Sequence, residues 1–319
     1  WMMPMTRVAS TEMSSLDALK PIADGMARDV DQWSVVLPTD RVPTMQFRIY
    51  DKERDINEVR HVDPGTGALL VDPGSFGGTG FFFPFHFSLH LRAFDLGYWL
   101  VGLAAMAMLV LSISGVIIHK KLFADFFTLR VVKKPQRTTL DLHNVTGVLG
   151  LPFNIVIALS GLIIFMSIYM PTPQSVAYGG DKGAFERDAY GSFEREPAGR
   201  PGALASLDTM QAEAQSRWDG EAPYFVRVWN PGDANGYVEM RRPYDRGVTM
   251  TIDTLYFDGA TGRVLQEFRT DKPVMTAQRF ISGIHFIQFR HWTLRWLYFI
   301  GGLMGCVLIA TGFLFWVQS

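Results

Sequence analysis

The sequence predicts a membrane α-helical bundle carrying two external α+β domains, and three observations lead there. Gly97 to His119, Val145 to Met170 and Trp296 to Ser319 contain no Asp, Glu, Lys or Arg. A helix crossing a bilayer core needs about 20 apolar residues, and buried helices of soluble proteins seldom exclude charge over so many turns. Tyr98, Trp99, Tyr169, Trp296, Tyr298 and Trp316 stand near the ends of these runs, where amphipathic rings settle at headgroup level. The polar segments before the first run and after the second repeat one order of motifs, which points to a duplicated external module.

Composition agrees with this class. Of 319 residues 48% are hydrophobic and 19% charged, below the roughly 25% charged share of soluble domains. Thirty basic against 31 acidic side chains argue against nucleic acid as a partner. A single Cys excludes a disulfide framework and four-cysteine metal or iron–sulfur sites.

Residues 1–80 form the first external domain. Ser15-Leu16-Asp17-Ala18-Leu19 opens a helix with Ser15 as its cap, and Met45 to Tyr50 and Glu58 to Val62 alternate as strands. Asp63-Pro64-Gly65-Thr66-Gly67 is a hairpin turn whose last glycine supplies a positive φ. Residues 81–119 hold a histidine-bearing external segment and the first span. In residues 120–143 Lys120, Lys121, Arg130, Lys133, Lys134 and Arg137 face only Asp125 and Asp141, so this short loop is cytoplasmic by the positive-inside bias. The second span, 144–170, returns outside. Residues 171–204, rich in Gly, Pro and charge, read as a linker. The second external domain, 205–284, repeats the first: Ser206-Leu207-Asp208-Thr209-Met210, strands at Tyr224 to Trp229 and Thr249 to Phe257, and the turn Asp258-Gly259-Ala260-Thr261-Gly262. Residues 285–319 hold the third span. The opening Trp1-Met2-Met3-Pro4 has no signal-peptide pattern, and we expect a further upstream helix that would bring the bundle to four spans.

Six of the seven histidines stand at the edges of the spans: His86 and His90 before the first, His119 closing it, His143 opening the second, His285 and His291 before the third. Ionisable groups at the rim of hydrocarbon are candidates for function. His86 and His90, four apart, share a helix face but lack the Glu of a zinc-peptidase motif. A b-type haem requires two imidazoles from different helices within an apolar bundle. His86, His90 and His285 near the outer face and His119 and His143 near the inner face can supply two such sites, one membrane thickness apart. Gly102, Gly115, Gly147, Gly161, Gly301, Gly302 and Gly305 let helices approach or leave room for a flat macrocycle. Arg92, Arg290 and Arg295 outside, and Lys120 and Lys121 inside, are candidate partners of haem propionates or of lipid headgroups. Cys306 reads as a packing residue.

Taken together, Phe85-His86-x-x-x-His90, Ser114-Gly115-x-x-x-His119, Asp141-Leu142-His143-Asn144-x-x-Gly147, Leu151-Pro152-Phe153, Ser160-Gly161-Leu162, Ile284-His285-Phe286, Gly301-Gly302-Leu303-Met304-Gly305 and Thr311-Gly312 resemble the PepSY-associated transmembrane family across essentially the whole chain. The resemblance implies a bacterial inner-membrane protein with four core helices and two periplasmic PepSY-like domains. It also implies haem-containing ferric-siderophore reductase activity in iron acquisition. His90, His143 and His285 are then the leading haem ligands, followed by His86 and His119, and the upstream helix would carry a further histidine. Asn154 stands where many relatives have His.

The leading expectation is an oxidoreductase that carries electrons from a cytoplasmic donor through two haems b, across the lipid bilayer, to a ferric siderophore outside. The alternative is a non-enzymatic PepSY-type binding or regulatory protein. A transporter is disfavoured, because the spans carry no acidic or basic residue and no inverted repeat.

Overall fold

The computed structural model describes residues 15–27, 30–39, 42–71, 78–118 and 135–318. A 3-10 turn at Leu16–Ala18 leads into α1 (Leu19–Met26), followed by β1 (Gln32–Val36), β2 (Met45–Asp51), β3 (Ile56–Val62) and β4 (Leu69–Leu70). Next come α2 (Thr79–Ser88), α3 (Leu96–Ile118), α4 (Pro135–Ile164) and the short α5 (Met166–Tyr169). The chain continues through α6 (Thr172–Ala177), α7 (Lys182–Tyr190), α8 (Leu207–Arg217), β5 (Phe225–Trp229), β6 (Tyr237–Arg241), β7 (Thr254–Asp258) and β8 (Val264–Phe268). It ends with α9 (Pro273–Phe286) and α10 (Trp292–Gln318). Two compact units result: a sheet unit from residues up to 81, 174–244 and 251–276, and a helical unit from residues 82–173, 245–250 and 277–319.

In the sheet unit the two motif repeats do not form separate bodies. All eight strands lie in one antiparallel sheet of order β4-β3-β2-β1-β5-β6-β7-β8, and the first strands of the two halves, β1 and β5, pair across its middle with Ser34 opposite Arg227. Strand alternation turns Trp33, Val35, Phe47, Ile49, Val226, Val228, Met240 and Phe257 to one face, where Leu19 and Ala23 of α1 and Met210 and Ala214 of α8 cover them in a single core. Neither half has a complete core alone.

The repeated Ser-Leu-Asp motif explains how the halves are joined. Ser15 Oγ and the Leu16 amide donate to Asp208 at 2.5 and 2.6 Å, and Ser206 Oγ and the Leu207 amide donate to Asp17 at 2.7 and 2.8 Å. Each serine still caps its own helix, accepting from the Asp17 or Thr209 amide. Each half therefore places a carboxylate at the other half's helix start, where orphan amides and the helix dipole favour negative charge. The two hairpin turns match as well: Gly67 and Gly262 both have φ of +71°, and Asp63 and Asp258 accept from amides inside their turns.

Three elements differ from the sequence reading. The segment 171–204 contains α6 and α7, the latter capped by Asp181 and closed by Gly191, so it is a partly helical connection. β6 carries Glu239, only 2% exposed, which accepts from Arg241 Nε at 2.6 Å and Trp229 Nε1 at 3.2 Å. A charge inside Tyr-Val-Glu-Met-Arg concealed a buried strand from its pattern. Residues 135–143, read as loop, belong to α4.

The helical unit contains three helices long and apolar enough to cross a membrane: residues 93–118, 136–164 and 292–317. α4 packs against both α3 and α10. Outward-facing Leu103, Leu111, Ile117, Ile309 and Phe313 are each more than 60% exposed, as hydrocarbon-facing side chains must be. Close approach inside is made by glycine. A Cβ at Gly102 would meet the Tyr169 ring at 2.6 Å, one at Gly301 would meet Phe153 at 2.6 Å, and one at Gly97 would collide with the Ser88 carbonyl.

Candidate functional site

His143 lies on the buried side of α4 against α10. Its Nδ1 is 3.0 Å from the Leu308 carbonyl oxygen and 3.2 Å from Thr311 Oγ1. A carbonyl only accepts, and Thr311 commits its own proton to the Val307 and Leu308 carbonyls. Nδ1 therefore carries the imidazole hydrogen and Nε2 keeps a bare lone pair. The ring rests on Gly312, where a Cβ would stand 3.1 Å from His143 Cε1.

His285, in the last turn of α9, repeats this chemistry with the helices exchanged. Its Nδ1 is 3.0 Å from Ser160 Oγ, and Ser160 donates to the Ile157 carbonyl at 3.1 Å. The serine oxygen thus accepts from Nδ1–H and again Nε2 is left unprotonated. The ring rests on Gly161, with a Cβ there 3.1 Å from His285 Cε1. Burial, reinforced by His86 beside it, lowers the His285 pKa from its ordinary value, which favours the neutral, ligating imidazole.

His143 and the glycine that seats His285 lie toward opposite ends of α4. Gly161 follows His143 by 18 positions in α4, about 27 Å at 1.5 Å per residue. That is close to the roughly 30 Å hydrocarbon thickness. Each end thus offers an oriented imidazole whose second nitrogen is fixed by an oxygen acceptor, the arrangement by which proteins hold histidine ligands on a metal.

Among the outer candidates, His86 approaches His285, with ring centres 6.0 Å apart and planes at 34°. His90 does not share a helix face with His86. α2 ends at Ser88, and Leu89 and His90 take φ of +50° and +57°, so the four-residue spacing no longer means one face. The exposed His90 ring instead lies 6.1 Å from Phe85. The geometry brings together His86 and His285 where the sequence ranked His90 with His285.

His119, Lys120 and Lys121 lie outside the described residues. His61 is buried in β3 with its Nδ1 3.1 Å from Thr44 Oγ1, and His291 is exposed just before α10. Of the basic residues considered for propionates, Arg290 pairs with Asp245, and Arg295 donates to the Phe289 carbonyl at 2.9 Å. Among the described residues no three His, Cys, Asp or Glu side chains gather as a metal site, so a metal held here would rest on imidazole pairs. The chain's residues fit a haem in this respect: lone pairs at Nε2, locked tautomers and apolar surroundings. Sequence reasoning missed the seats themselves. Their signal is a hydroxyl residue followed by glycine, Ser160-Gly161 and Thr311-Gly312.

A family model described as a PepSY-associated TM region matches residues 1–319. An uncharacterised protein of Pseudomonas aeruginosa is 28% identical over 239 residues, which cover 70% of this chain and 59% of that protein. The chain thus spans less than two thirds of that relative's length.

Proposed function

The chain belongs to the family of PepSY-associated transmembrane regions, and on that premise we propose that it is a transmembrane carrier of electrons on haem b that reduces a ferric siderophore outside the bacterial inner membrane. The observation that carries the reading is the pair of Nδ1-anchored imidazoles, His143 borne by α4 and His285 of α9 seated on Gly161 of α4, with about 27 Å of helix between His143 and that glycine. Haem supplies, when bound, a one-electron centre that alternates between ferric and ferrous iron.

The protein's own part is to hold and insulate. His143 and His285 offer Nε2 from fixed tautomers, and His86 is the second imidazole at the His285 end. Leu308, Thr311 and Ser160 keep each ring from rotating, and the glycine seats set how deeply the rings sit. The apolar spans exclude water between the ends, so electrons cross without proton leakage. The basic segment 120–134 marks the donor side by charge, and a cytoplasmic electron donor feeds the His143 end. At the other end the substrate is ferric iron in a siderophore. Hard oxygen ligands hold ferric iron more tightly than ferrous, so one electron releases the metal.

Purified protein from haem-replete cells should show the reduced-minus-oxidised spectrum of low-spin, bis-histidine haem b. In sealed vesicles a reductant on the basic-loop side should reduce a ferric siderophore on the other. A colourless, folded preparation would instead leave the non-enzymatic PepSY-type binding or regulatory function.

A further inference from the structure

α9 carries its polarity the wrong way round for a helix in water. Ala277, Phe280, Ile281 and Ile284 stand at offsets of three, four and seven from the first and form one apolar stripe. Arg279, Ser282, Gly283 and Phe286 repeat the same offsets on the opposite side. The second stripe is the buried one. Arg279 is 8% and Ser282 3% exposed, the Arg279 carbonyl accepts from the Met250 amide at 3.2 Å, and a Cβ at Gly283 would collide with the Val248 carbonyl. The apolar stripe faces out, with Ala277 and Phe280 exposed and Ile281 and Ile284 partly so. A surface helix in water buries its apolar face and leaves charge outside. In lipid, polar groups turn inward and apolar ones outward.

Charge and continuity identify what meets the outer stripe. From Pro273 to Phe289 the only Asp, Glu, Lys or Arg is Arg279, which lies on the buried side. α10 begins shortly after, at Trp292, and its Trp292, Trp296 and Phe299 are each more than 55% exposed. The stripe thus leads along the chain into the surface that hydrocarbon covers on a span. With 14 residues α9 is about 21 Å long, short of a bilayer core and in the range of interfacial segments. We propose that the Ala277, Phe280, Ile281 and Ile284 stripe lies against the acyl chains of the bilayer. α9 is then a membrane-embedded helix that does not span, in addition to the three long helices, and the His285 seat in its last turn lies below the headgroups.

Spin labels on the full-length protein in vesicles of phosphatidylethanolamine and phosphatidylglycerol test this. Cys306, the single native thiol, is replaced by Ser, and single labelled cysteines are placed by Ala277→Cys and Phe280→Cys. Leu303→Cys, on the exposed side of α10, serves as the lipid reference, and Glu58→Cys, on the exposed part of β3, as the aqueous one. Collisions with dissolved oxygen and with a water-soluble nickel chelate are compared by power saturation. The expected result at 277 and 280 is the oxygen preference seen at 303, the reverse of the ratio at 58. Both substitutions leave the buried stripe intact, and Ala277→Cys carries the reading if Phe280→Cys fails to fold. A preference for the nickel chelate at either position would place the stripe in water and overturn the proposal. An immobile label reached by neither reagent would also overturn it, because a second copy or another helix would then cover the stripe.

Discussion

Removing the Asp208 carboxylate should loosen the sheet unit through the other half's helix start. In Asp208→Ala, Ser15 Oγ and the Leu16 amide lose acceptors at 2.5 and 2.6 Å. The serine can turn to water, but Leu16 is 2% exposed and its amide is left without a partner. Bonds to a charged group contribute about 1.5–3 kcal/mol and loss of a cap about 0.5–2. With partial solvent access the sum comes to about 2–3 kcal/mol. Asp17→Ala should cost a similar amount, because it frees Ser206 and Leu207 in the same way. The double variant should cost less than the sum, since both carboxylates bridge the same two helix starts. Trp33 and Trp218, 2% and 1% exposed in the shared core, report unfolding by fluorescence during denaturant titration in detergent. Losses under about 0.5 kcal/mol for both single variants, the range of ordinary surface substitutions, would refute the idea that the reciprocal caps join the halves.

Other outcomes follow from the same structure. Burial raises the Asp17 pKa, but bonds from Lys20, Ser206 and the Leu207 amide outweigh it and leave the carboxyl below its ordinary value. Its stabilisation is therefore complete above about pH 4 and lost as pH falls through the folded value, and melting temperature should fall more steeply in acid for wild type than for Asp17→Asn. Gly161→Val and Gly312→Val should each displace one imidazole from its seat, at about 1–3 kcal/mol of overpacking, and each should deplete a different haem when haem is counted per chain. Gly262→Ala, at a φ of +71°, should cost about 1 kcal/mol in the hairpin turn, measured by denaturant titration. Single cysteines placed in 120–134 should resist a membrane-impermeant label added to the outside of intact cells, and those in 172–203 should react.

Much of the architecture was legible because its causes are local. Charge-free runs locate the three long apolar helices, since hydrocarbon admits no ionised side chain without compensation, although α4 begins well before its run, with Arg137 and Asp141 paired on its first turns. The Asp-x-x-Thr-Gly turns declare themselves because each needs a residue at positive φ. What escaped depends on partners distant in sequence. Nothing in Gln-Trp-Ser-Val-Val reveals that β1 will lie against β5 and fuse the repeats, and Glu239 breaks the apolar pattern of a strand that buries it against two arginines. The histidines were visible as residues, but their grouping was not. One helix end at Ser88 turns His90 away from His86, and the oxygens that fix His285 and His143 come from residues 125 to 168 positions away in sequence. A hydroxyl–glycine pair is not diagnostic by itself, since Ser114-Gly115 has no atom within 4 Å of a Cβ at Gly115.

The most direct test of the account is haem content and spectrum in three full-length proteins: wild type, His143→Ala and His285→Ala. The account expects two haems b per chain in the wild type, loss of a different one in each variant, and no reduction of external ferric siderophore by either. Wild-type protein that folds without haem, or a His285→Ala variant that keeps both haems and full reduction, would contradict it.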